Sequence, residues 1–248
     1  MMTRWIASTM TLLLLAGCGP TVDEAKVEAN ERWAGARAQI IYGVGEQCLR
    51  TGQLDTARSK ALEALALDPG YLDARILLAK TYIEQGHYQL AQRELETGMK
   101  IQADLPDLHY LMGVALEKGG HFESALRSYR RCEALAPDHL DPVLAGCEVL
   151  VQLNRLDEAE VTLSDHRGMA GEEPGYYELG GRIAVMRGDH ARAAALFQHA
   201  CDLAPENVCY REALARARFH AGQYEAALQT LRRLVRDTGE APTGWMQA

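Results

Sequence analysis

The chain has 248 residues, with 34 acidic against 26 basic side chains and a formal charge of −8. Its 48% hydrophobic and 24% charged residues exclude wholesale disorder, and 22 Gly with 8 Pro exclude a collagen-like chain. The acidic balance argues against nucleic acid as a main partner, and the scarcity of aromatics (6%) beside abundant Ala, Leu, Glu and Arg favours helix throughout.

The first element is an address. Arg4 precedes an uncharged stretch from Trp5 to Ala16, which leads into Leu15-Ala16-Gly17-Cys18. That stretch is too short to span a bilayer, which needs about 20 residues, but it has the length of a signal-peptide core, about 7–15 residues. The segment resembles the lipobox of bacterial lipoproteins. The resemblance implies a signal peptide at 1–17, acylation of Cys18 and a stable anchor on a membrane that the protein does not cross. Gly19 stands where an aspartate would mark retention in the inner membrane of a Gram-negative cell. Its presence implies an outer-membrane lipoprotein facing the periplasm, if the host is Gram-negative. The plainer alternative is an ordinary secretory signal with an incidental cysteine.

Residues 18–37 lie between this anchor and the main body. Thr21 and Glu24 have capping-box spacing, and Ala25, Ala29, Trp33 and Ala36 follow at near-helical intervals. They predict a short helix that covers the body's first unit, or else a tether.

From Ala38 onward a 34-residue period runs unbroken to residue 241, in windows 38–71, 72–105, 106–139, 140–173, 174–207 and 208–241. The twentieth place is always alanine: Ala57, Ala91, Ala125, Ala159, Ala193 and Ala227. The fifteenth is Gly52, Gly86, Gly120, Asn154, Gly188 and Gly222. The eighth is always small, the twenty-fourth is usually large, and Pro69, Pro137 and Pro205 share the thirty-second. Each window reads as two helices joined at the glycine, with the small residues allowing close approach and proline ending the second helix. This pattern resembles the tetratricopeptide repeat. The resemblance implies an all-α, right-handed superhelical solenoid of six helix-turn-helix repeats with a concave inner face. The fourth window is the least regular, and the joint near Gly171 is expected to be the softest. Asp237 to Ala248, with Gly239, Pro242 and Gly244, does not read as a helix, and residues 242–248 form a tail after the last window.

No catalytic or metal-binding pattern is evident, so no cofactor, no metal and no enzyme activity are expected. Cys201 and Cys209 fall at facing ends of successive helices and could form a disulfide; Cys132 and Cys147 could do so with less support. The alternative is that all of these are small apolar fillers.

The family resemblance implies that places two, five, nine, twelve and thirteen of each first helix line the concave face. Place five supplies Tyr42, Ile76, Tyr110 and Leu144, with Ile83 at place twelve and Val114 at place nine. An apolar groove with interleaved charge suits a helix or extended peptide from a partner protein. Glu178 with Arg182, and Glu212 with Arg216, have the spacing of self-satisfied helical ion pairs. A family subset that grips carboxyl termini uses Lys at place five and Asn at place nine; this chain departs from that pattern. Anchor, length and repeat number together resemble the pilotin lipoproteins of type IV pilus assembly and the repeat lipoproteins of tight-adherence pili. That implies a non-enzymatic adaptor in pilus or secretin assembly. Alternatives are an adaptor for cell-wall or outer-membrane assembly enzymes and, less favoured, an enzyme with a cryptic interhelical site.

Overall fold

A computed structural model describes residues 22–238. The signal segment, Cys18, Thr21 and everything from residue 239 lie outside the described residues, and so do the expectations attached to them. Within that span the chain forms α1 (Val22–Arg50), α2 (Leu54–Leu67), α3 (Leu72–Glu84), α4 (Tyr88–Ile101), α5 (Pro106–Lys118), α6 (Phe122–Leu135), α7 (Asp141–Gln152), α8 (Leu156–Asp165), α9 (Pro174–Met186), α10 (His190–Leu203), α11 (Val208–His220) and α12 (Tyr224–Thr238). No strand occurs among the described residues. Odd- and even-numbered helices pair as hairpins, and each hairpin packs on the next to give an all-α solenoid.

The fifteenth place turns each hairpin. Its five glycines have φ between 75° and 79°, and Asn154 reaches 57°. A residue with a Cβ is strained there, and asparagine tolerates the region better than most. The turn lets the following N–H donate back across the helix end: Gln53 to the Cys48 carbonyl at 2.9 Å, His87 to Tyr82 at 2.8 Å, and Asp189 to Ala184 at 2.9 Å. The same bond recurs in every repeat, so each first helix has its last carbonyls satisfied in one way.

Behind the turn, the two helices of a hairpin approach through the alanines of place twenty, none more than 2% exposed. Place eight and place twenty-four then share one volume. A Cβ on Gly113 would lie 2.4 Å from the ring of Tyr129, and one on Gly181 would lie 2.7 Å from the ring of Phe197. Where place twenty-four is leucine, place eight carries a side chain: Ala79 with Leu95, Cys147 with Leu163, Ala215 with Leu231. Interiors are close-packed, so a ring at one place requires a missing side chain at the other.

One region departs from the sequence reading, and a second shows the irregularity that the reading placed in the fourth window. The short covering helix is not separate: α1 is one helix of 29 residues. Its core-facing residues are Ala38, Ile41 and Gly45; at about 100° per residue Ala36 points to the opposite side of the helix and Trp33 lies roughly a third of a turn away from them. Trp33 therefore stays 70% exposed and cannot cap the first repeat. In the fourth repeat, α8 has only 10 residues against 14 in α6 and gives way to a 3-10 turn over Arg167–Met169. The chain then passes the buried Ala170 and Gly171, with φ 46°. Two phenols of α9 bind back across this break: Tyr176 donates to the Leu163 carbonyl at 2.7 Å and Tyr177 to the Gly171 carbonyl at 3.2 Å.

Candidate partner-binding groove

The inner face is built by the first helices of successive repeats, α1, α3, α5, α7, α9 and α11. Tyr42 stands half-buried, edge-on to Tyr71 with ring centroids 5.4 Å apart. Tyr110 is also half-buried, 5.7 Å from the Tyr129 ring, and burial pushes both the Tyr42 and Tyr110 phenols above their ordinary range. Val114 bridges two core clusters, and Leu144 packs against one of them, each keeping part of its surface open. These four make a half-exposed apolar row that skips repeat two: Tyr42 stands on repeat one and the other three on repeats three and four.

Ile76 and Ile83 do not join that row. They are 8% and 5% exposed and belong to a core cluster with Leu108, Met112 and Ala115 of α5. Their branched side chains sink between α3 and α5, which leaves them as packing residues and not as contact residues. The surface they were expected to supply appears further along the groove, at Val185 and Met186 of α9, 38% and 50% exposed.

Polar groups tie the middle of the groove together. Glu117 accepts from the Tyr129 hydroxyl at 2.7 Å and from Gln152 Nε2 at 3.2 Å, linking α5, α6 and α7. Arg182 lies between Glu178 at 3.6 Å and Glu148 at 3.8 Å, the second on the preceding repeat. Burial nonetheless holds both carboxyls above their usual range, with Arg182 opposing. The spacing in sequence indicated the Glu178–Arg182 pair but not the bridge to Glu148, and it gave no sign of the Glu117 network. Position in the repeat could have found that network, since Glu117 and Gln152 occupy places twelve and thirteen of neighbouring repeats.

The Cys201–Cys209 bridge is not formed: both are free thiols, as are Cys48, Cys132 and Cys147. Cys201 faces the core beside Phe197 and Leu214, whereas Cys209 is exposed at the second residue of α11, so the two sulfurs point into different surroundings. Burial raises the Cys201 thiol to about 11 and the Cys147 thiol to about 12, so both are packed, unreactive thiols. Among the described residues no group of three or more His, Cys, Asp or Glu side chains is placed to hold a metal ion, and no helix is long and apolar enough to cross a membrane.

A hairpin solenoid with such a face defines a protein–protein interaction scaffold. Residues 49–114 and 184–246 match one tetratricopeptide repeat model and residues 106–139 match a second; the chain belongs to the tetratricopeptide repeat family. Tetratricopeptide repeat protein 21A of Mus musculus is 28% identical over 100 residues, 39% of this chain but only 8% of that protein's length. Among solved structures, PilW, described as a widely conserved type IV pilus biogenesis factor, superposes with a TM-score of 0.72 at 15% identity, covering 81% of this chain and 93% of PilW. Pseudomonas aeruginosa PilF superposes with a TM-score of 0.70 at 15% identity, covering 84% and 94%. YrrB, a repeat protein described as having an unusual peptide-binding site, reaches 0.55 at 18% identity over 68% and 88%. At these identities the likeness is one of fold.

Proposed function

We propose that the protein is a lipid-anchored, non-enzymatic adaptor of the bacterial envelope that holds a segment of a partner protein along its inner face. The observation that carries this reading is the set of half-exposed apolar residues Tyr42 on repeat one, Tyr110 and Val114 on repeat three and Leu144 on repeat four, interrupted at repeat two by the buried Ile76 and flanked by charge. Tyrosines in such a row offer wide apolar contact and a hydroxyl at low conformational cost. The peptide-binding description of YrrB supports a polypeptide as the guest. Near-complete coverage of PilW and PilF supports pilus or secretin assembly as the setting. Cys18 supplies the anchor in this reading, on the outer membrane and facing the periplasm.

The test uses the full chain expressed in its own host. Cys18→Ser is expected to move the protein from the membrane fraction to the soluble fraction. Replacing Tyr42, Tyr110 and Leu144 together by Glu is expected to abolish capture of the envelope partner while leaving the helical circular dichroism unchanged. Ile76 is left out of that set, because a buried charge there would unfold the repeat. Membrane retention of Cys18→Ser, or undiminished capture by the triple variant, would contradict the respective half of the proposal.

A further inference from the structure

Toward repeats five and six the groove changes character. A cavity of about 310 Å3 opens between α9, α10 and α11, floored by Val185, Met186, Phe197 and Ala217. Arg182, Arg216, His190 and His220 stand around it, and no carboxylate lines it. Arg182 is already held by Glu148 and Glu178. Arg216 is not held: among the described residues it makes no ion pair, although Glu212 stands four residues before it and the spacing predicts one. The rings of His190 and His220 meet at 5.1 Å, and His190 Nδ1 is buried without a hydrogen-bond partner. Buried polar atoms are rarely left so, and a ligand that bonds one removes its cost.

We propose that this pocket receives, from the segment lying in the groove, a large apolar side chain with a carboxylate beside it. The apolar group fills the floor. The carboxylate takes paired N–H···O bonds from Arg216, whose planar fork suits it, and meets the two imidazoles at the rim. Glu117, Glu148 and Glu178 would repel that carboxylate and attract a basic residue. The guest is thereby read in one direction: its basic part over repeats three to five, its anionic apolar part over repeats five and six. This inference rests on the groove reading above and adds the chemistry of the guest.

The test is fluorescence anisotropy of the purified full chain with labelled short Gly/Ser peptides. They carry Phe-Asp, Phe-Asn, Ala-Asp or Phe-Lys, and a further pair ends in Phe with a free carboxyl or an amide. Phe-Asp is expected to bind about tenfold more tightly than Phe-Asn and than Ala-Asp, and Phe-Lys most weakly of all. The terminal pair tells whether the carboxylate comes from a side chain or a chain end. Arg216→Glu is expected to reverse the order of Phe-Asp and Phe-Lys. Its side chain is exposed, so the fold should survive, and an unchanged melting curve would verify that. Equal binding of Phe-Asp and Phe-Asn, or an unaltered order in Arg216→Glu, overturns the inference. If no peptide binds while the native partner still crosslinks through Tyr110, the pocket inference fails and the groove reading stands. If those crosslinks are also missing, the groove reading itself fails.

Discussion

Repeats three and four follow the same 34-residue template and fill it differently. In repeat three, Gly113 gives way to the ring of Tyr129, the turn is a glycine, and the second helix runs 14 residues. In repeat four, Cys147 and Leu163 share the same space, Asn154 makes the turn, and the second helix stops after 10 residues. Interior volume is conserved between the two, but backbone regularity is not. Of these two repeats, only the third has its large residue reach the groove, where the Tyr129 hydroxyl orients Glu117. Repeat three therefore couples core to inner face, and repeat four holds a break that neighbouring side chains must close.

The largest expected effect breaks the volume rule. Gly113→Ala puts a methyl into the Tyr129 ring and should cost about 1–3 kcal/mol in urea denaturation, since overpacking forces neighbours to shift. Adding Tyr129→Leu, which copies the Ala79 and Leu95 pairing of repeat two, should restore most of that loss. A double variant no more stable than the additive expectation would refute the shared-volume account. Next, Tyr176→Phe removes the hydrogen bond to the Leu163 carbonyl across the break and should cost about 1 kcal/mol. Amide exchange around Gly171 should quicken more than exchange around Gly120; the reverse would show that the break is not the weak joint. Asn154→Gly should stabilise repeat four by up to about 1 kcal/mol by relieving a left-handed non-glycine residue, whereas Asn154→Ala should destabilise it.

The smallest effect concerns protons in the groove. Burial holds the Glu148 and Glu178 carboxyls above the 4.5 they start from. Folding therefore favours their protonated forms. Their contribution to stability is greatest at low pH and falls as pH rises through the raised values, so at neutral pH the part-buried Glu178 charge weighs against the fold, and the solvent-exposed Glu148 charge weighs less. Glu178→Gln should flatten that part of the pH–stability curve. Because the side chain is partly exposed and Arg182 loses a partner, stability at pH 7 should change by only a few tenths of a kcal/mol. An unchanged curve would mean that burial does not set these carboxyls.

The solenoid was legible in the sequence because its constraints are local and tied to residue type. A positive φ demands Gly or Asn at place fifteen, and close helix approach demands Ala at place twenty. The groove was legible only in part. Period says which way a residue points but not how deep it lies, so Ile76 and Ile83 were assigned to a surface that neighbouring helices cover. Spacing four apart shows that Arg182 and Arg216 can pair with a preceding glutamate. It does not show that Arg182 also reaches Glu148 on another repeat while Arg216 makes no ion pair among the described residues. The continuity of α1 was hidden for a related reason: its apolar stripe was visible, but the phase of that stripe against Ala38 and Ile41 sets it away from the core.

The central claim is that the inner face, and not the outer, holds the partner. It is tested most directly by placing a photo-crosslinking amino acid at Tyr110 in one variant and at the 58% exposed Val161 of α8 in another, in living cells. The account predicts a discrete crosslinked protein band from position 110 and none from 161. Crosslinking from 161 alone, or equally from both, would contradict it.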